Sequence, residues 1–140
     1  MEEPLTEELL EELLRAPDPS KYADKNHIEN RKLSDYLQQL LDEKGLNRAE
    51  VIREAGINNT FGYEIFTGRK ENPSRNYILQ LVFAMRLDFR TANRLLQAAH
   101  VNGLYCKDRR DAIIIFCLDK GYSLQRTDEE LYRFGQDTIC

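Results

Sequence analysis

Apolar positions recur at helical spacing along almost the whole chain, and the breaks between runs fall on glycine, proline or capping residues. Residues 5–15, LTEELLEELLR, place Leu5, Leu9, Leu10, Leu13 and Leu14 on one face and glutamates on the other, the pattern of an amphipathic helix. A helix of about eleven residues is marginal alone, so its leucine stripe should dock on something. APDPSKYADKN follows, two prolines among polar residues, and reads as a linker. From Leu33 the pattern predicts a series of punctuated helices. LSDYLQQLLDEK aligns Leu33, Leu37, Leu40 and Leu41, and Gly45 should close it with a left-handed cap. NRAEVIREAG opens on Asn47 with Glu50 three residues later, a capping-box pattern, and turns Val51, Ile52 and Ala55 inward. Only Gly-Ile-Asn then separates it from a helix expected near Asn59 to Thr67. A connection that short makes two helices cross steeply, as in a helix-turn-helix.

Beyond Pro73, Ser74 is placed to cap a helix whose Ile78, Leu79, Leu81, Val82 and Phe83 are too apolar all round for a surface position. The next helix should start from Asp88, with Phe89, Ala92, Leu95, Leu96 and Ala99 inward. His100 falls at its C-terminal end, where the helix dipole favours a cation. Ile113 to Leu118 has the length of a buried strand, but no partner strand is in sight, so a buried helix is predicted. The last helix runs from a Ser123 cap to a Gly135 stop. Ile78/Ile113, Leu79/Ile114, Phe83/Leu118, Leu87/Tyr122, Phe89/Leu124 and Leu96/Leu131 correspond at an offset of 35. Two stacked helical hairpins that bury each other would produce that echo.

The pattern therefore predicts an all-α protein. At 140 residues, 41% hydrophobic and 31% charged, the chain has the composition of one soluble globular domain with a short appendage. No apolar run approaches the length of a membrane span, and the acidic N-terminus has no basic stretch typical of a signal peptide. Cys106, Cys117 and Cys140 lack metal-site spacing and point to a reduced, cytoplasmic protein with incidental thiols. No membrane association, metal or other cofactor is expected. His27 and His100 have no nucleophile or carboxylate at a recognisable catalytic spacing, and there is no glycine-rich phosphate loop, so no enzyme is expected.

Charge changes the picture only when divided. Residues 1–30 carry −6, residues 31–110 carry +5 and residues 111–140 carry −3, which together give the net −4. A mildly basic middle between acidic ends is compatible with a surface facing phosphate, but falls short of a strongly basic footprint.

The pieces DEKGLNRAEVIREAGI, NNTFGYEIFTGRKENPS and YILQLVFAMRLD, in that order, resemble the λ-repressor-like (Xre-type) helix-turn-helix regulators over residues 33–96. The spacing agrees apart from one extra residue in GRKENPS. The resemblance implies a λ-repressor-like bundle, here with an added N-terminal amphipathic helix (residues 1–30 with its linker) and an added C-terminal helical hairpin (residues 105–140) around a helix-turn-helix domain of residues 31–104. It further implies that the helix beginning near Asn59 enters the major groove of double-stranded DNA by its N-terminal end. Asn58, Asn59, Thr60, Tyr63 and Thr67 would then face the bases, and Arg48, Arg69, Lys70 and Arg75 would hold phosphates. A homodimer is expected, because the family often reads paired half-sites.

Three residues depart from the family pattern. Ile52 stands where a small residue is usual, and Gly62 where a branched one is usual. The larger Ile52 would fill the space over the bare Gly62. Phe66 stands where Glu is common. These departures, with the aromatic FGYEIF and the acidic leucine helix, support an alternative: an adaptor that keeps the scaffold and binds a protein through its N-terminal helix or C-terminal hairpin.

Overall fold

The computed structural model describes residues 6–15, 18 and 32–140. Among these it is all-helical, with α1 (Thr6–Arg15), α2 (Leu33–Lys44), α3 (Arg48–Glu54), α4 (Asn59–Thr67), α5 (Arg75–Ala84), α6 (Phe89–Ala98), α7 (Arg109–Asp119) and α8 (Leu124–Arg133). None of these helices is long and apolar enough to cross a membrane. Leu5, His27 and, Asp18 excepted, the linker lie outside the described residues. The chain divides into two compact units, residues 1–30 and 31–140. The C-terminal hairpin therefore belongs to the same unit as the helices before it.

In the first unit, α1 carries an Arg15–Glu11 pair one turn apart at 3.9 Å, and its Leu10, Leu13 and Leu14 are exposed.

In the second unit, α5 is central. Ile78 to Phe83 are buried on every side, Gln80 included, and the helix packs on α3, α6 and α8. Leu40, Leu79, Val82 and Leu96, expected to face inward, are buried, as are Ile57 and Ile65. Helix α2 closes the other side, against α4 and α6. Local chemistry sets the helix starts. The side chains of Asn47, Asp88, Asp108 and Ser123 accept from the backbone N–H three residues on. The Thr91 N–H, with its hydroxyl, holds the Asp88 carboxyl below its usual range. Ser74 occupies the cap position of α5 without a side-chain bond. Phe89, expected inward, is exposed, because it sits in the first turn of α6 before the helix reaches the core. Helix α7 is buried on one face only: Ile114 and Cys117 point in while Phe116 is exposed.

The offset of 35 has a structural counterpart. Helices α5–α6 and α7–α8 form two hairpins stacked through α5·α8 and α6·α7 contacts. Their second helices start from Asp88 and Ser123, both caps. Left-handed residues stand at Arg86 and Gly121, and at His100 and Gly135, again 35 apart. The backbone bonds match too: Leu87 N–H donates to the Val82 carbonyl and Tyr122 N–H to the Cys117 carbonyl. The second hairpin uses glycine at both left-handed positions, whereas the first carries side chains there, with φ of 54° at Arg86 and 60° at His100. A non-glycine residue in that region costs about 1 kcal/mol or more. Arg86→Gly should therefore raise stability by about 1 kcal/mol, roughly 2–6 °C in Tm for a domain of this size. Calorimetry checks this, with Arg86→Ala as the control. An equal gain from alanine would assign the effect to the arginine side chain and not to the backbone.

Candidate functional site

Helices α3 and α4 are joined by residues 55–58 and pack on each other. The joint is shaped by Gly56 in the left-handed region (φ 72°) and by the buried Ile57, whose N–H donates to the Ile52 carbonyl. Within the interface, a Cβ built on Gly62 would lie 2.5 Å from Ile52 Cγ2 and 2.9 Å from Cγ1. The branched side chain of α3 thus occupies the space a side chain on α4 would need, as the two departures from the family pattern imply. The buried Gln80 ties the end of α3 to α5 by donating to the Ala55 carbonyl at 2.9 Å.

With Gly62, Ile65 and Phe66 buried, the opposite face of α4 is presented to solvent. Asn58, Asn59, Thr60, Tyr63 and Thr67 are all exposed, as are Arg48, Arg69 and Lys70. The structure separates their roles. Asn58 is the helix cap: its Oδ1 accepts from Thr60 N–H at 2.9 Å and Phe61 N–H at 3.3 Å. A bidentate contact to adenine needs that oxygen, so Asn58 cannot make it without uncapping the helix. Asn59, the first residue of α4, and Thr60 stand at the N-terminal end. Tyr63 lies one turn on, 49% exposed, with the Arg48 guanidinium stacked 4.8 Å from its ring centre. Thr67 lies about 12 Å along the axis from Asn59, and its hydroxyl donates back to the Glu64 carbonyl at 3.4 Å.

The structure places the aromatic residues of this stretch and corrects one expectation. Phe66 is buried, and Phe61 is half-buried against Tyr77, ring centres 4.7 Å apart, with Lys70 Nζ 5.9 Å from the Phe61 centre. Most of the aromatic character of FGYEIF is therefore internal packing, and Tyr63 is its exposed part. Arg75, expected to hold a phosphate, is instead committed within the fold. Its Nε donates to the Asn102 carbonyl, its Nη1 to Asp111, and its Nη2 to both Asp111 and the Gly103 carbonyl, at 2.8–3.0 Å. Four of its five N–H groups are committed inside the fold. Tyr77 was missed in the sequence, because it falls on the flank of a helix read as central. Burial pushes the Cys117 thiol up, which keeps it protonated.

The exposed α4 face thus offers a primary amide, two hydroxyls and a phenol along one side of a helix, with Arg48, Arg69 and Lys70 around it. Such a set donates and accepts hydrogen bonds to flat, polar edges and carries positive charge at its margins. No family model matches this chain, no curated protein matches its sequence, and no solved structure matches it.

Proposed function

We propose that the protein is a sequence-specific DNA-binding regulator in which α3 and α4 act as a helix-turn-helix, on a bundle of λ-repressor-like type. The observation that carries this reading is the uncovered N-terminal half of α4. Asn59, Thr60 and Tyr63 point away from the core there, while Asn58 satisfies the helix end without them. In this reading Asn59 and Thr60 meet base edges in the major groove, Tyr63 stacks or reaches a phosphate, and Arg48, Arg69, Lys70 and the more distant Thr67 hold the backbone.

Arg69→Ala and Lys70→Ala should each weaken binding to every duplex and reduce the log–log salt slope by about one. Asn59→Ala should instead relax preference at one base pair, by about 1–3 kcal/mol. Affinities measured across a salt series, on a preferred site and its single-base variants, separate these effects. A uniform loss from Asn59→Ala, with base preference intact, would remove Asn59 as a reader.

A second reading, a protein-binding adaptor on the same scaffold, is favoured by the exposed Arg48–Tyr63 pair, which presents an aromatic and cationic patch equally suited to a peptide.

A further inference from the structure

A groove of about 500 Å³ between α7 and α8 is lined by the apolar Ala112, Ile113, Phe116, Cys117, Tyr122 and Phe134. Phe116 is 54% exposed and Phe134 is exposed as well. Each ring carries a cation: Lys120 lies 5.4 Å from the centre of Phe116, Arg126 4.5 Å from Tyr122 and Arg133 5.2 Å from Phe134. Arg126 and Arg133 line the groove with one anion, Glu130, which they share at 3.6 Å, and Lys120 stands at its edge over Phe116. Residues 111–140 are acidic as a whole, yet Asp128 and Glu129 line a different hollow, with Tyr132, Thr138 and Cys140. The charge of the hairpin is thus uneven, with its three cations and one acid, Glu130, around the apolar groove, and Asp128 and Glu129 at the other hollow. An apolar cleft with a basic rim selects an acidic helix with an apolar stripe.

The chain itself supplies such a helix. In α1, four glutamates and one arginine accompany leucines at 9, 10, 13 and 14, and Leu14 is 76% exposed. We propose that the groove docks α1 of a second copy of this chain, and that the exchange is reciprocal, giving a two-fold dimer. An exchange in which each copy both donates a helix and receives one closes on itself and leaves neither stripe uncovered. The proposal stands independently of DNA reading, because its readout is the mass of the protein in solution without DNA.

The test uses the full chain and sedimentation equilibrium. Wild type should be dimeric at micromolar concentration, with association weakening as salt is raised. Leu10→Asp with Leu14→Asp should weaken association by about 100-fold or more, because two buried leucines are lost. Glu8→Lys with Glu12→Lys makes the helix basic, and Arg126→Glu with Arg133→Glu makes the groove acidic. Each pair should weaken self-association by about 100-fold through like charges meeting. Mixing the two charge-reversed proteins should restore a dimer, since in the mixed pair each helix meets a groove of opposite sign. Circular dichroism of each variant confirms that it is folded. A monomeric wild type overturns the proposal, including the case in which α1 serves its own chain. So does a dimer that both charge reversals leave intact, which would mean that copies meet through another surface. Failure of the mixture to associate, with both variants folded, overturns it as well.

Discussion

Asp111→Ala is expected to destabilise the protein by about 3–5 kcal/mol, the range for removing one partner of a buried ion pair. The Asp111 side chain is 8% exposed and that of Arg75 23%. Asp111 receives Arg75 Nη1 and Nη2 at 2.9 and 2.8 Å and the Tyr105 N–H at 3.0 Å, so its carboxylate is nearly saturated. The pair ties the start of α5 to the start of α7, and Arg75 also holds the carbonyls of Asn102 and Gly103 in the connection between the hairpins. Alanine at 111 leaves a guanidinium without its anion at the joint of the two hairpins. Urea unfolding measures the loss. Arg75→Ala should also destabilise, while the folded fraction keeps the wild-type salt slope for DNA. A reduced slope would return Arg75 to the phosphate ligands. A cost below about 1 kcal/mol for Asp111→Ala would show that the pair is solvated and not buried.

The second large effect lies between α3 and α4. Gly62→Val should destabilise strongly, because its Cβ alone would sit 2.5 Å from Ile52 Cγ2, and a β-branched neighbour cannot swing away. Overpacking of this kind costs about 1–3 kcal/mol, and the gain in helix propensity from glycine to valine, a few tenths of a kcal/mol, offsets little of it. Ile52→Ala should cost about 2–5 kcal/mol through the cavity it leaves. Combined, Ile52→Ala and Gly62→Val restore the volume with the branched side chain on the other helix. The double variant should therefore be more stable than Ile52→Ala alone, with a coupling of about 1–3 kcal/mol. Denaturant midpoints of the three variants give the cycle. Additive costs would mean that the two positions do not share one space.

These two sites differ in how far the sequence disclosed them. Ile52 and Gly62 are ten residues apart on adjacent helices joined by a short turn, and their shared space was implied by the two departures from the pattern the chain resembles. The caps at Asn47, Asp88 and Ser123 were legible because each acts on an N–H three residues away. The echo at 35 residues was visible because both hairpins repeat their periodicity and their turn positions. The Arg75–Asp111 pair spans 36 residues and the Gln80–Ala55 bond 25, and nothing in local periodicity encodes either. In the α4 stretch, helical spacing alone does not say whether Phe61 and Phe66 face in or out. Their burial depends on which helices pass over them, and for Phe61 that is the ring of Tyr77. The remaining exposed set, Asn59, Thr60, Tyr63 and Thr67, follows directly from helical spacing once Ile65 faces the core.

The central claim is that α4 reads base sequence. Selection of bound duplexes from a random DNA library, by the 140-residue chain at two salt concentrations, tests it most directly. Base readout predicts that one short motif is enriched at both concentrations, while overall affinity falls as salt releases phosphate contacts. Binding without any enriched motif that disappears at the higher salt, or no binding at the lower one, would contradict it.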